Sequence, residues 1–431
     1  MSILVFKQNS LSPEQAPPIS VVFRFFFSGT LFGLLGGVLL LIYQKDIFDP
    51  SSMAAITFTH VLTLGVMLSF MLAALFQMLP VIAGVALTAT VKRVSWLQYT
   101  FSMGTICLLL AFNFNTMPWL YLLASALLGT SLLFVAFIML QSLLKLQNHS
   151  ASSRGMVTAL ISFSLLVMLA LYLTLTLSGY IEGTYYPQVK PAHYTLGLFG
   201  WITLLIMAIS FQVVEMFYVT PAYPGLISKY LPYGILLLLI VSPILVIFIP
   251  LIGVISDLIL ATLLSTYALI TLKRLTQRKR PISDATIWFW RMGMTSLILS
   301  MVCMLAGLFI SLSEIHIFSY LFFTTFALSI IFAMFYKIVP FLTWFHLNSQ
   351  GYFNAPMMHE VIHPKTAKKH FWIHLVTLIT FMIATLIPQM IIFAALLMIL
   401  SFGWMSYQII HAHMLYVKTQ KEGEKFDMGI Q

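Results

Sequence analysis

Three histidines stand at matching places in the chain. His60 opens the run FTHVLTLGVMLSFMLAALFQMLPVIAG, His193 opens AHYTLGLFGWITLLIMAISFQVVEMF, and His316 opens IHIFSYLFFTTFALSIIFAMFYKIVP. The spacings are 133 and 123 residues, and each run ends on an aromatic-polar pair: Phe76-Gln77, Phe211-Gln212 and Phe335-Tyr336. Neutral imidazole is the commonest side-chain ligand for metals and a frequent axial ligand of haem iron. An ionisable ring inside an apolar run is costly in lipid, so it is expected to face a bundle interior or a partner. The recurrence predicts that at least two of the three ligate something. The competing reading makes them hydrogen-bonding plugs inherited from duplication of one unit.

A second tier of candidates surrounds them. Gln77, Gln212, Glu215, Tyr336 and Lys337 fall near the far ends of the same runs, where Glu215 and Lys337 are expected to pair as ions. Asp257 lies inside another apolar run, as a site residue or a snorkelling one. His346, His359, His363, His370, His374, His411 and His413 crowd the C-terminal third. His370 and His374 are four apart and share a helix face, with His411 within reach across a hairpin, so a second metal site is weighed against interfacial histidines at helix ends. Met67, Met71 and Met78 fall on the His60 face by helical spacing, which suits copper or plain packing. No phosphate loop, dinucleotide fingerprint, Ser/His/Asp set or Cys-rich metal motif is present.

These residues need a membrane scaffold. Of 431 residues 60% are hydrophobic and 8% charged, and long apolar runs recur throughout, so the chain reads as an all-α polytopic membrane protein. Its partner is the lipid bilayer. The net charge of +10 does not point to nucleic acid, because the basic residues sit in short loops. Cys107 and Cys303 both fall in apolar runs and imply no disulfide framework.

Twelve transmembrane helices are expected over residues 20–417, between a segment at 1–19 and a tail at 418–431. Gly29, Gly33 and Gly37 give the first helix a smooth face for packing, or for a flat macrocycle. Prolines interrupt the stretch between Leu231 and Leu272, with a turn near Pro250. The lysines and arginines concentrate in alternate loops, the strongest cluster being KRLTQRKRP from Lys273 to Pro281. That alternation predicts both termini cytoplasmic in a bacterial-type inner membrane, with helices 2, 6 and 10 parallel and their histidines near the outer face. The polar, Pro-rich start lacks the features of a signal peptide.

Twelve helices in three pseudo-repeats of four, with histidines on helices 2, 6 and 10, resemble subunit I of the haem–copper oxidase superfamily. They also resemble the twelve-helix haem- and copper-containing proteins of the nitric-oxide response. The resemblance implies that His60 and His316 hold a low-spin haem b and that His193 matches a copper-ligating position. The pattern then departs from the family. Helix 7, GILLLLIVSPILVIFI, has no histidine; helix 10 reads Glu314-Ile315-His316 in place of His-x-His; and Gly197 stands where the family has a tyrosine. The oxygen-reducing haem and its copper have lost their ligands.

The function expected is therefore a haem b-binding membrane protein that handles electrons, haem or a small gas, with a respiratory-complex or electron-transfer partner and no autonomous oxygen or nitric-oxide reduction. A cofactor-free transporter and an assembly factor for a respiratory complex are the alternatives. Transporters of two six-helix halves repeat at half a chain, whereas this repeat is a third of one.

Overall fold

The computed structural model describes residues 18–83, 91–114, 116–279 and 284–425. The expected segment before residue 18, the end of the basic cluster at 280–281 and the last six residues of the tail lie outside the described residues.

Among the described residues the elements are helices, with one isolated bridge between Tyr352 and Lys425. The long helices are α1 (Ile19–Tyr43), α2 (residues 53–83), α3 (Val91–Asn113), α4 (Trp119–Leu144), α5 (Ala151–Leu177) and α6 (Tyr186–Tyr218). They continue as α7 (Gly225–Val246), α8 (Leu251–Thr276), α9 (Ala285–Ala306), α10 (Ser313–Ser349), α11 (Pro364–Ala384) and α12 (Ile391–Glu422). Eleven are long and apolar enough to cross a membrane. The other is α11, where Lys365, Lys368, Lys369, His370 and His374 dilute the first half of a 21-residue helix.

Helix ends follow local chemistry. Ser52, Ser150 and Asp284 cap α2, α5 and α9 by accepting backbone N–H bonds, as short polar side chains do at this position. Pro250 precedes α8, where the expected turn lies. Pro187 falls in the first turn of α6, so that helix starts at Tyr186, six residues before the expected Ala192. α10 runs on to Ser349, beyond the expected end near Phe341, because His346 and Leu347 still find burial there.

Consecutive helices pack against one another, and α1 lies along α12, so the first and last helices meet. The glycine stripe of α1 makes that seam. A Cβ on Gly33 would strike the Phe402 ring of α12, and one on Gly29 would come within 2.6 Å of Phe70 of α2. These glycines accommodate neighbouring side chains, which favours the packing reading over the macrocycle one. Ser406 donates to Thr30 across the same seam at 2.8 Å.

The three histidine-bearing helices are central. α2 and α6 are buried over 83% of their apolar stretches and α10 over 61%, against 28–56% for the other spans. α2 and α6 also share a backbone irregularity. Each opens as α-helix, passes into π-helix at Val61–Leu68 and Leu196–Ile202, and returns to α-helix. The π segment starts one residue after His60 and three after His193. Such insertions are rare, re-aim the side chains on either side, and concentrate at functional sites. They also break the register expected on α2: Met67, Met71 and Met78 are buried in the apolar core away from the cavity His60 lines.

Candidate functional site: a histidine-lined apolar cavity

His60, His193 and His316 all line one cavity of about 690 Å³. Its wall is built from α2 to α6, α10 and Phe381 of α11, and is mostly aliphatic and aromatic, including Phe58, Phe112, Phe163, Leu128 and Leu166. The polar groups are few and come mainly from α2, α6 and α10: Thr59, Thr63, Tyr186, Lys190, Tyr194 and Tyr320 beside the histidines. A mainly apolar pocket with a few convergent polar groups is the usual form of a small-molecule or cofactor site.

Two of the three rings face each other. The His60 and His193 ring centres are 6.4 Å apart with planes inclined by 15°. His60 Nδ1 lies 2.8 Å from the Ile56 carbonyl. A carbonyl only accepts, so Nδ1 carries the proton and Nε2 keeps its lone pair, the arrangement that a backbone carbonyl imposes on ligand histidines. Phe112 packs on the same ring at 5.0 Å and fixes its orientation. His193 bonds the backbone of Leu166, and its Nδ1 is buried without a hydrogen-bond partner. One other cavity-lining group, Trp201 Nε1, is likewise buried and unpartnered.

His316 is placed differently. It is exposed at the cavity edge, one turn into α10, and a Cβ on Gly307 at the end of α9 would lie 2.6 Å from its ring. The expected pair was His60 with His316; the histidine ring packed beside His60 is His193.

Neither a protein-family model nor a curated protein matches the chain.

A haem b fits this donor set. The two rings lie near-parallel with centres 6.4 Å apart, so both reach one part of the cavity. An apolar wall suits the macrocycle, and Lys190 offers a cation for its carboxylates. A bare copper ion is a poorer fit: among the described residues no group of three His, Cys, Asp or Glu side chains is placed to hold a metal ion.

The C-terminal histidines do other work. His370 Nε2 is 2.7 Å from Ser401 Oγ of α12, and His374 Nε2 is 2.9 Å from Ser329 Oγ of α10. Both rings are buried among Phe289 and Phe332. They tie α11 to its neighbours. His411 stacks on Tyr407 of its own helix, ten residues beyond Ser401 and so about 15 Å further along it. The structure does not bring His411 to the other two.

The expected ion pair also changes partner. Lys337 binds Asp284, while Glu215 is exposed. Asp284 lies three residues after the basic cluster and reads in sequence as a loop residue; its role as the cap of α9 is what carries it to Lys337.

Proposed function

We propose that the chain is a haem b-binding integral membrane protein of oxidase-like architecture, with twelve spans in three pseudo-repeats of four. The bilayer is a bacterial-type inner membrane with both termini cytoplasmic. The single observation that carries this reading is the opposed pair His60 and His193 inside an apolar cavity. His60 offers Nε2, held in place by the Nδ1–H bond to Ile56, and His193 offers a ring nitrogen from the facing helix. Lys190, on the same helix as His193, lines the cavity and would pair with the haem carboxylates, and the Phe58 and Phe112 rings line it with apolar surface. Bound haem b would supply one-electron chemistry. The function supported is handling of electrons or of haem itself, exchanged with a respiratory partner, without an oxygen-reducing centre. The visible spectrum of the purified protein tests it.

A cofactor-free transporter is the competing reading. It is favoured by a second cavity, which lies on the opposite side of the first segment of α6. A colourless preparation would select it.

A further inference from the structure

The second cavity, about 450 Å³, opens between the start of α6, the end of α7 and the start of α8. It lies at the His193 end of the bundle, and Tyr194 lines both cavities. Its one charged group is Asp257, set six residues into α8 and about 9 Å along it. An ionisable side chain inside a membrane helix marks a functional site unless a partner explains it. Among the described residues Asp257 has no hydrogen-bond or ion-pair partner. Ser256 beside it is buried as a residue and lines the same cavity.

The backbone adds more acceptors. Pro191 lies inside the first segment of α6, and Pro243 lies inside α7. A proline within a helix supplies no N–H to the carbonyl four residues earlier. Those carbonyls belong to Pro187 and Leu239, and both residues line this cavity. Both helices run on through these prolines, and each leaves one carbonyl without its usual donor beside the cavity. Irregular backbone at membrane depth is tolerated where it borders a cavity, and freed carbonyls at such breaks suit positive charge. The remaining wall is apolar, from Leu238, Val246, Ile247 and Leu260, and the Tyr194 ring offers a face for a cation.

We propose that this cavity binds a small organic cation, an ammonium group carrying an apolar body. The carboxylate, the freed carbonyls and the Tyr194 ring take the charge, and the aliphatic wall takes the body. The volume is many times that of a bare metal ion and falls within the range of small-molecule sites. The proposal is independent of the haem reading, because Asp257 does not line the histidine cavity.

The test is calorimetric titration of benzyltrimethylammonium into the full chain in phospholipid nanodiscs. A saturable one-site isotherm is expected, with the neutral isostere 2,2-dimethylpropylbenzene bound at least about tenfold more weakly. Asp257→Asn should raise Kd about tenfold, and Asp257→Glu should restore most of the affinity. Val246→Trp, which fills the cavity without touching the charge, should abolish binding. The visible spectrum should be the same in all of these variants, so a failed titration and a failed haem assignment are separable. Three results would overturn the proposal: no saturable heat, equal binding by Asp257→Asn, or equal binding of the neutral isostere, which would make the cavity a gap for lipid tails.

Discussion

Lys337 of α10 binds Asp284, the cap of α9, with Nζ 2.5 Å from the carboxylate. The same ammonium lies 5.8 Å from the Tyr218 ring and 5.9 Å from the Phe217 ring at the end of α6. Tyr218 in turn donates to Thr286, whose backbone N–H donates to Asp284. One charge cluster therefore joins the end of α6 and the start of α9 to α10, away from the histidines. Lys337→Met strands a half-buried carboxylate and Asp284→Asn strands the ammonium, so each single change should lower stability more than the double change does. The coupling should be about 1 kcal/mol, since the pair is partly solvated. Additive losses in chemical denaturation would show that the two do not interact.

The same pair predicts a pH dependence. Burial opposes ionisation of Asp284, but the Lys337 charge and the hydrogen bonds from Lys337 and Thr286 outweigh it and hold the carboxyl below its ordinary value of 3.8. A depressed folded-state value gives stability that is complete above the unfolded value and lost as pH falls through the folded one. Thermal stability of the wild type should fall on acidification below about pH 4, and Asp284→Asn should flatten that fall. An identical acid limb in both proteins would contradict the assignment.

Much of the fold was legible in the sequence, and the reasons are local. Apolar runs of spanning length and the proline at 250 set the helix order, and the spacing of Gly29, Gly33 and Gly37 marked the α1 seam. The three histidines also line one cavity. The pairing within it was not legible. A π segment leaves no periodicity signal, yet two of them set the directions of His60 and His193. Lys337 was matched to Glu215 by repeat position, whereas a cap 53 residues away in sequence provides its partner. The bonds from His370 to Ser401 and from His374 to Ser329 are long-range, and helical spacing showed only that the two rings share a face.

The π segment of α6 should be sensitive to volume. A Cβ on Gly200 would collide with Ser162 Oγ of α5. Gly200→Ala should cost about 1–3 kcal/mol, as overpacking does in dense cores. Adding Ser162→Ala removes the colliding oxygen and should recover part of the loss. No recovery in the double variant would mean that the seam does not pack as described.

His370 should matter for stability and not for the cofactor. His370→Ala leaves the Ser401 hydroxyl without its buried partner and opens a cavity beside Phe332. A loss of about 2–4 kcal/mol is expected, with an unchanged visible spectrum. A changed spectrum would bring the C-terminal histidines into the cofactor site.

Cysteine accessibility tests the topology. Asp49→Cys and Glu182→Cys should react with an impermeant reagent in intact cells, and Lys368→Cys should not. If α11 crosses the bilayer despite its basic start, Pro388→Cys should react as well. Labelling of Lys368→Cys from outside would invert the orientation and every depth inferred from it.

The central claim is that His60 and His193 hold one haem b between them. The reduced-minus-oxidised visible spectrum of protein purified from haem-replete cells is its most direct measure. Low-spin haem b bands are expected in the wild type. His60→Ala and His193→Ala should each remove them or convert them to high spin. His316→Ala, at the exposed edge of the cavity, should keep the low-spin bands. A spectrum lost in His316→Ala and kept in His193→Ala would contradict the ligand assignment, and a colourless wild-type preparation would contradict the account as a whole.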